Sequence, residues 1–296
     1  MKGIRNEQPL LVIVGPTASG KSKLAVRVAH DFNGEVISAD SRAVYKGLDI
    51  GTAKPTVQEQ EGIPHWGIDI TLPDQRFTVA DFKDYANRKI EEIRNRGHLP
   101  ILVGGTGLYI DAVIYNFNFP EESNNVALRT ILNNLDEDEL YKYCLENNIE
   151  LPKNYKNRRH LVSAILRNGL ENRDDNTIIA ECIVVGISTE KTALEERIRR
   201  RADMIFASGA VEEARLAAEQ YGWNTEAMTG NVYPIIHAYF THELTLEEAK
   251  EKFIIRDRQL AKRQLTWFKR NRSIVWCNLD NAYTYITQQL ARLNHS

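Results

Sequence analysis

The stretch that most constrains the fold is Gly15-Pro16-Thr17-Ala18-Ser19-Gly20-Lys21-Ser22, a match to G-x-x-x-x-G-K-[ST]. It follows the apolar run from Pro9 to Val14. It precedes a segment, Lys21 to Asp31, whose apolar positions (Leu24, Ala25, Val28, Ala29) recur at helical spacing. A buried strand that breaks into a glycine turn and then a helix is the setting in which this motif holds phosphate. The glycines let the backbone turn tightly and point its N–H groups inward, and the helix N-terminus adds partial positive charge. Lys21 contributes a full charge, and the Ser22 hydroxyl suits Mg²⁺. The chain is therefore expected to hold a di- or triphosphate on an α/β scaffold.

The rest of the pattern agrees with that scaffold. Short strands are expected at Glu35 to Ser38, Leu99 to Val103 and Cys182 to Ile187, with a helix from Thr78 to Arg96. Strands alternating with helices imply a parallel, doubly wound sheet of the P-loop NTPase type, flanked by helices. Between 117 and 176 the pattern changes to helical spacing alone (Leu128, Ile131, Leu132, Leu135; Leu161, Val162, Ile165, Leu166). A small all-helical insert is expected there, with 1–116 and 177–296 forming the core. From Thr189 onward the spacing is helical apart from a strand at Ser273 to Cys277. A chain of 296 residues has room for one large domain with such an insert.

Composition narrows the class further. Hydrophobic residues make up 43% and charged residues 26%, with a net charge of −2, so any nucleic-acid face must come from local clustering. No run of about 18 apolar residues exists, so no membrane span is expected. The first apolar stretch ends in the Gly15 motif and reads as a strand, not a signal peptide. Cys144, Cys182 and Cys277 are distant and odd in number. They suit neither a disulfide framework nor a zinc site and fit a cytoplasmic protein.

Three groups of residues carry candidate chemistry. The strand at Leu99 to Val103 runs into Gly104-Gly105-Thr106-Gly107 without the aspartate that many P-loop proteins use for magnesium. That favours a diphosphate held as a leaving group over ATP turnover. Asp40, at the end of the second strand, sits where ligands collect in parallel sheets. It reads equally as a base that takes a proton from a nucleophile and as a cap for a following helical turn. The third group is basic. Arg256, Arg258, Lys262, Arg263, Lys269, Arg270 and Arg272 lie in one stretch with Asp257 as its only acid, and Trp267 and Phe268 are interleaved. Arg256, Arg263 and Arg270 are seven apart and share a helical face. Cations in rows neutralise phosphates, and the aromatics either stack on bases or pack on the core. Smaller basic groups are Lys153, Lys156, Arg158, Arg159 and Arg167 in the insert, and Arg197, Arg199, Arg200 and Arg201 after Ile187. Arg197 and Arg201, one helical turn apart, are placed to face the phosphate site together.

Several segments together resemble the tRNA dimethylallyltransferase (isopentenyltransferase) family: GPTASGKSKLA at 15–25, SADSRAVYKGLDIGTAKP at 38–55, IPHWGIDI at 63–70, FTVADF at 77–82, LVGGTGLYIDAV at 102–113 and RQLAKRQLTWFKR at 258–270. They occur in the family's order and span nearly the whole chain. The resemblance implies that the Gly15 to Ser22 loop holds the diphosphate of dimethylallyl diphosphate, with Ser22 on Mg²⁺. It implies Asp40 as general base toward the N6 amine of the adenosine beside the anticodon, and Thr106 close to the target nucleotide. Arg197 and Arg201 would neutralise charge developing on the leaving group. It implies tRNA contacts from Ser41, Arg42 and Ala43, from Arg129, Arg158 and Arg159 in the insert, and from Arg258, Lys262, Arg263, Gln264, Trp267 and Lys269, gripping an anticodon stem-loop whose target base is flipped out. A monomer suffices. The chain departs from the family's pattern at Arg42-Ala43, usually Met-Gln or a similar pair, at Ser163-Ala164-Ile165-Leu166 for Arg-Ala-Leu-Glu, and at Val232-Tyr233-Pro234 for Gly-Tyr.

Three other readings stay open from the sequence. An adenylate prenyltransferase would share the loop and Asp40 but has no use for the basic helix. A small-molecule P-loop kinase would need ATP turnover and a magnesium-binding aspartate. A non-catalytic RNA-binding protein on the same scaffold would not need to keep both Lys21 and Asp40.

Overall fold

The structure, a computed structural model, describes residues 8–117, 119, 126–152, 154–166, 178–179 and 182–293. Its centre is β1 (Leu10–Val14), every residue of which is buried. The strand is apolar throughout because it is covered on both faces and flanked by parallel strands on both sides. α1 (Lys21–Asp31) follows, then β2 (Gly34–Ala39), the short α2 (Val57–Gln60), β3 (His65–Trp66), α3 (Val79–Asn95), β4 (Leu99–Gly104) and α4 (Gly107–Ile114). After the insert come β5 (Cys182–Ile187), α8 (Lys191–Ala207), α9 (Ala210–Tyr221), a 3₁₀ turn (Ala227–Thr229), α10 (Tyr233–Phe240), α11 (Leu246–Phe268), β6 (Val275–Cys277) and α12 (Leu279–Leu293). The sheet order is β3-β2-β4-β1-β5-β6, and every pairing is parallel.

The expected strands and the helix from Lys21 to Asp31 are present. β3 was not anticipated, because two residues are too few to make a periodicity. A side-chain bond holds it at the sheet edge: Trp66 donates its indole N–H to Glu35 at 2.7 Å. Glu35 is buried and also takes Arg96 and His98. Burial alone would raise its pKa, but the hydrogen bonds from Arg96, Trp66 and His98 outweigh that and hold the carboxyl below its usual range. One face of the sheet packs α1 and α12 through Leu24, Val28, Ile101, Val185 and Ile286. Thr78 caps α3 with Asp81, and Thr245 caps α11 with Glu248, each as a reciprocal capping box.

The basic helix is shorter than the spacing of its arginines implies. α11 ends at Phe268 with Lys269 as its cap, so Arg270 lies beyond it and off the face expected for Arg256 and Arg263. Its guanidinium instead stands 5.1 Å from the centroid of the Trp267 ring. No helix among the described residues is long and apolar enough to cross a membrane.

Two compact units divide at 114/115 and 178/179. The smaller, Tyr115–Ile178, contains α5 (Val126–Asn134), α6 (Glu137–Glu146) and α7 (Arg158–Leu166). Leu132, Leu140, Cys144, Leu161 and Ile165 form its core. Arg158 donates to the carbonyls of Leu132, Asn133 and Leu135, neutralising the open end of α5.

Candidate active site

The loop from Gly15 to Ser22 joins β1 to α1 at the C-terminal edge of the sheet. Gly20 caps the helix at φ 93, a left-handed backbone that favours glycine, and a Cβ there would stand 2.9 Å from Leu279 Cδ1. Lys21 folds back over the loop and donates to Pro16 O at 2.7 Å. Burial lowers its pKa to about 8, against the pull of the Asp40 carboxylate and with the push of the Arg201 guanidinium. Ser22 is exposed in the first turn of α1.

Two arginines from α8 reach this loop, as their one-turn spacing predicts. Arg197 donates to Ser19 O at 3.2 Å. Arg201 donates to Thr17 Oγ1, to Asp257 Oδ2 at 2.9 Å and to Thr52 O at 3.3 Å. Arg199 pairs with Glu251, and Arg200, at the cavity's margin, pairs with Glu196. Gln264, from α11, accepts the Thr17 backbone N–H at 2.7 Å. It is a wall of the loop, a role its position in the basic helix did not reveal.

Asp40 stands at the end of β2. It accepts the Arg42 N–H at 2.8 Å, which closes a turn and caps no helix. Thr106 accepts the Ser41 N–H at 3.0 Å, and its own N–H reaches Ala39 O at 3.2 Å, tying the loop after β2 to the loop after β4. Arg42 bonds Glu226 O at 2.8 Å. Ala43 is 4% exposed, so the expectation of a tRNA contact from its side chain is corrected: it packs in the core.

One cavity of about 690 Å³ is lined by the Thr17–Ser22 loop, Asp40, Ser41, Arg42, Thr106, Arg197, Arg201, Asp257 and Arg263, among others. Magnesium can be tested against this set. Among the described residues no group of three or more His, Cys, Asp or Glu could hold a metal. The cavity does offer the Ser22 hydroxyl beside the phosphate-binding loop. Mg²⁺ commonly takes one or two protein oxygens and completes its shell with phosphates and water. The residues therefore fit an ion shared with a bound diphosphate.

The remaining residues expected to meet tRNA divide into two kinds. Lys262, Arg263 and Lys269 are exposed, and no described side chain pairs with them. Trp267, by contrast, gives its indole N–H to Asp111 at 2.7 Å, and a Cβ at Gly107 would come within 2.2 Å of its Cδ1. Likewise a Cβ at Gly105 would meet Gln264 Nε2 at 2.2 Å. Gly105 and Gly107 lack side chains where α11 lies on the loop, and Gly104 where Ala39 of β2 does, a Cβ there falling 2.1 Å from Ala39 O. Arg258 faces Glu195 at 3.9 Å. In the insert Arg159 is exposed and Arg158 is spent on α5. Arg129 lies in α5, but its side chain, like Lys153 and Arg167, falls outside the described residues.

Two acids were missed. Glu213 on α9 accepts the backbone N–H groups of Asp49, Ile50 and Gly51 at 2.6, 2.7 and 2.8 Å, and the Tyr233 hydroxyl at 2.9 Å. Nothing in the spacing of α9 marks it. Asp257 carried a signal, as the one acid in a row of cations, but not its partner.

The match to known proteins is extensive. The model of the IPP transferase family covers residues 43–271. A tRNA dimethylallyltransferase of Staphylococcus epidermidis is 38% identical over 288 residues, 92% of this chain and 87% of that protein. One from Bacillus subtilis is 34% identical over 287 residues, 92% and 91% of the two chains. The crystal structure of a full-length tRNA isopentenylpyrophosphate transferase from Bacillus halodurans aligns with a TM-score of 0.74 at 34% identity, covering 98% of this chain and 99% of that one. A eukaryotic dimethylallyltransferase, captured in crystallographic snapshots acting on tRNA, aligns at 0.76 and 25% identity over 92% of this chain and 74% of its own.

Proposed function

The chain belongs to the IPP transferase family, and we propose that it performs the reaction for which its relatives are named, transfer of a dimethylallyl group onto tRNA. The observation that carries the reading is the shared cavity: the cationic loop around Lys21 and the carboxylate of Asp40 line one space of about 690 Å³. Asp40 follows β2 and the loop follows β1, with β4 between them. Strands lie about 4.8 Å apart, so the ends of β1 and β2, from which the two groups project into the cavity, are separated by roughly 10 Å. That span leaves room for a five-carbon chain between a diphosphate and an attacking amine.

Each end then has a task. The loop N–H groups, Lys21, Arg197 and Arg201 hold the diphosphate of dimethylallyl diphosphate and take up the charge that develops on its bridging oxygen. Ser22 would hold Mg²⁺ together with the diphosphate, and the ion would supply further neutralisation of that charge. Asp40 faces the N6 amine of the adenosine on the 3′ side of the anticodon, position 37. The amine forms a bond to the allylic carbon, the carbon–oxygen bond to diphosphate breaks, and Asp40 accepts the amine proton. Thr106, bonded to the backbone beside Asp40, orients that loop against the nucleotide. The target base is flipped out of its stack to reach the cavity, and Lys262, Arg263 and Lys269 meet the phosphates around it. A monomer acting in the cytoplasm is the simplest setting for this reaction on tRNA.

The test is direct. Protein, Mg²⁺, dimethylallyl diphosphate and bulk tRNA are incubated, with AMP in a parallel tube, and digested nucleosides are read by mass spectrometry. Prenylated adenosine from tRNA, lost with Asp40→Ala, is the expected result. Product from AMP alone would move the assignment to a free-nucleotide enzyme. No product in either tube, with salt-dependent tRNA binding retained, would leave an RNA-binding protein.

A further inference from the structure

Arg201 is held by three acceptors before any ligand arrives. Its Nη1 serves Thr17 Oγ1 and, at 2.9 Å, Asp257 Oδ2; its Nη2 serves Thr52 O at 3.3 Å. A guanidinium has five N–H donors. The Nε–H and one Nη2–H have no partner among the described residues, and donors of this kind grip an anion in pairs. The acid responsible is unusual in its placement. Asp257 is 2% exposed, although it sits on the basic helix α11. Its other oxygen accepts Asn231 Nδ2 at 3.2 Å. A buried carboxylate is costly unless it is paired, so Arg201 and Asp257 each fix the other.

We propose that Asp257 is a positioning residue: it clamps the Arg201 guanidinium against the phosphate-binding loop with two donors left for the leaving diphosphate, and acts on the reaction only through Arg201. This rests on the reading that the cavity holds diphosphate. Donors fixed in advance need no reorganisation when charge develops on the leaving oxygen, so the benefit falls on turnover. The carboxylate itself adds negative charge to the cavity and does nothing for ground-state binding of an anion. A residue that merely supported the fold would, on removal, weaken turnover and binding together.

The experiment is a double-mutant cycle in the full-length protein, comparing wild type, Asp257→Asn, Arg201→Ala and the pair. Turnover is read on tRNA with saturating dimethylallyl diphosphate, and binding by calorimetry of inorganic diphosphate with Mg²⁺. We expect Asp257→Asn to lower kcat by about tenfold or more, with diphosphate affinity unchanged or tighter. In the Arg201→Ala background the same change should add less than about twofold. Effects that multiply in the double variant, or a kcat untouched by Asp257→Asn, overturn the proposal. Wild-type protein that does not bind diphosphate overturns the cavity reading and this proposal with it. Should Asp257→Asn fail to fold, Asn231→Ala loosens the same carboxylate from its neutral side. Its expected effect is a smaller fall in kcat, also absent without Arg201, and a fall that persists without Arg201 overturns the proposal.

Discussion

The two basic regions of the large unit are built on opposite plans. Around the Gly15 to Ser22 loop three cations are tied down: Lys21 to Pro16 O, Arg197 to Ser19 O, Arg201 to Thr17, Thr52 and Asp257. Toward the end of α11, Lys262, Arg263 and Lys269 stand exposed without side-chain partners among the described residues. The difference teaches what each charge is for. Charge that must meet a developing anion at one point has to be oriented in advance. Charge that meets a polyanion along a groove gains from staying mobile and hydrated, because its contribution is release of counterions.

That contrast can be broken by substitution. Arg201→Ala should cost about 10²–10³ in kcat, the range seen when one preorganised donor to a developing anion is removed, while tRNA affinity at fixed salt stays within about twofold. Its measurement is single-turnover kinetics beside filter binding. Replacing Lys262 and Lys269 together by Ala should do the reverse. We expect tRNA affinity to fall about 10-fold at low salt and the slope of log K against log salt to flatten by about 1–2, with kcat kept at saturating tRNA. A large loss of kcat there would dissolve the distinction.

The tied end also has a pH signature. Lys21 is charged below about 8 in the folded protein and loses its charge as pH rises through that value. Diphosphate affinity should therefore drop between pH 7 and 9, by up to roughly tenfold, and Lys21→Met should bind weakly with this component of the pH dependence gone. Trp267→Phe removes the donor to Asp111 and should destabilise the fold by about 1–3 kcal/mol in chemical denaturation, with the salt slope of tRNA binding unchanged. The smallest effect belongs to Asp111 itself. Burial raises its pKa to about 6, opposed by the Trp267 bond and by Arg270. The folded protein favours the neutral acid, so stability falls as pH climbs from about 4 to about 6. Asp111→Asn should gain about 1 kcal/mol at pH 7, shrinking as pH falls toward 5, in thermal melts at both values.

The sequence is most legible where a local pattern and its partner lie close together. The strand–turn–helix at 10–31 is such a place, and so are Arg197 and Arg201, whose four-residue spacing puts them on one face toward the loop. Legibility fails where a role depends on distant pairing. Asp257 meets Arg201 56 positions away, and Glu213 meets the Ile50 backbone 163 positions away. The aromatics of α11 could have stacked on bases or packed on the core. Gly107 decides it, because the missing Cβ leaves the space that Trp267 fills. Charge counting likewise groups Arg158 with the RNA-facing residues, yet three helix-end carbonyls claim it.

The bond from the Thr17 amide to Gln264 joins residues 247 positions apart. A ribosome making this chain produces the phosphate loop early and the residue that walls it near the end. Through most of synthesis the nascent polypeptide carries the motif without the finished pocket, and Gly105 and Gly107 wait for the helix that covers them. Competence thus arrives late, when α11 clears the exit tunnel and closes on strands made long before it, with β6 and α12 still to follow.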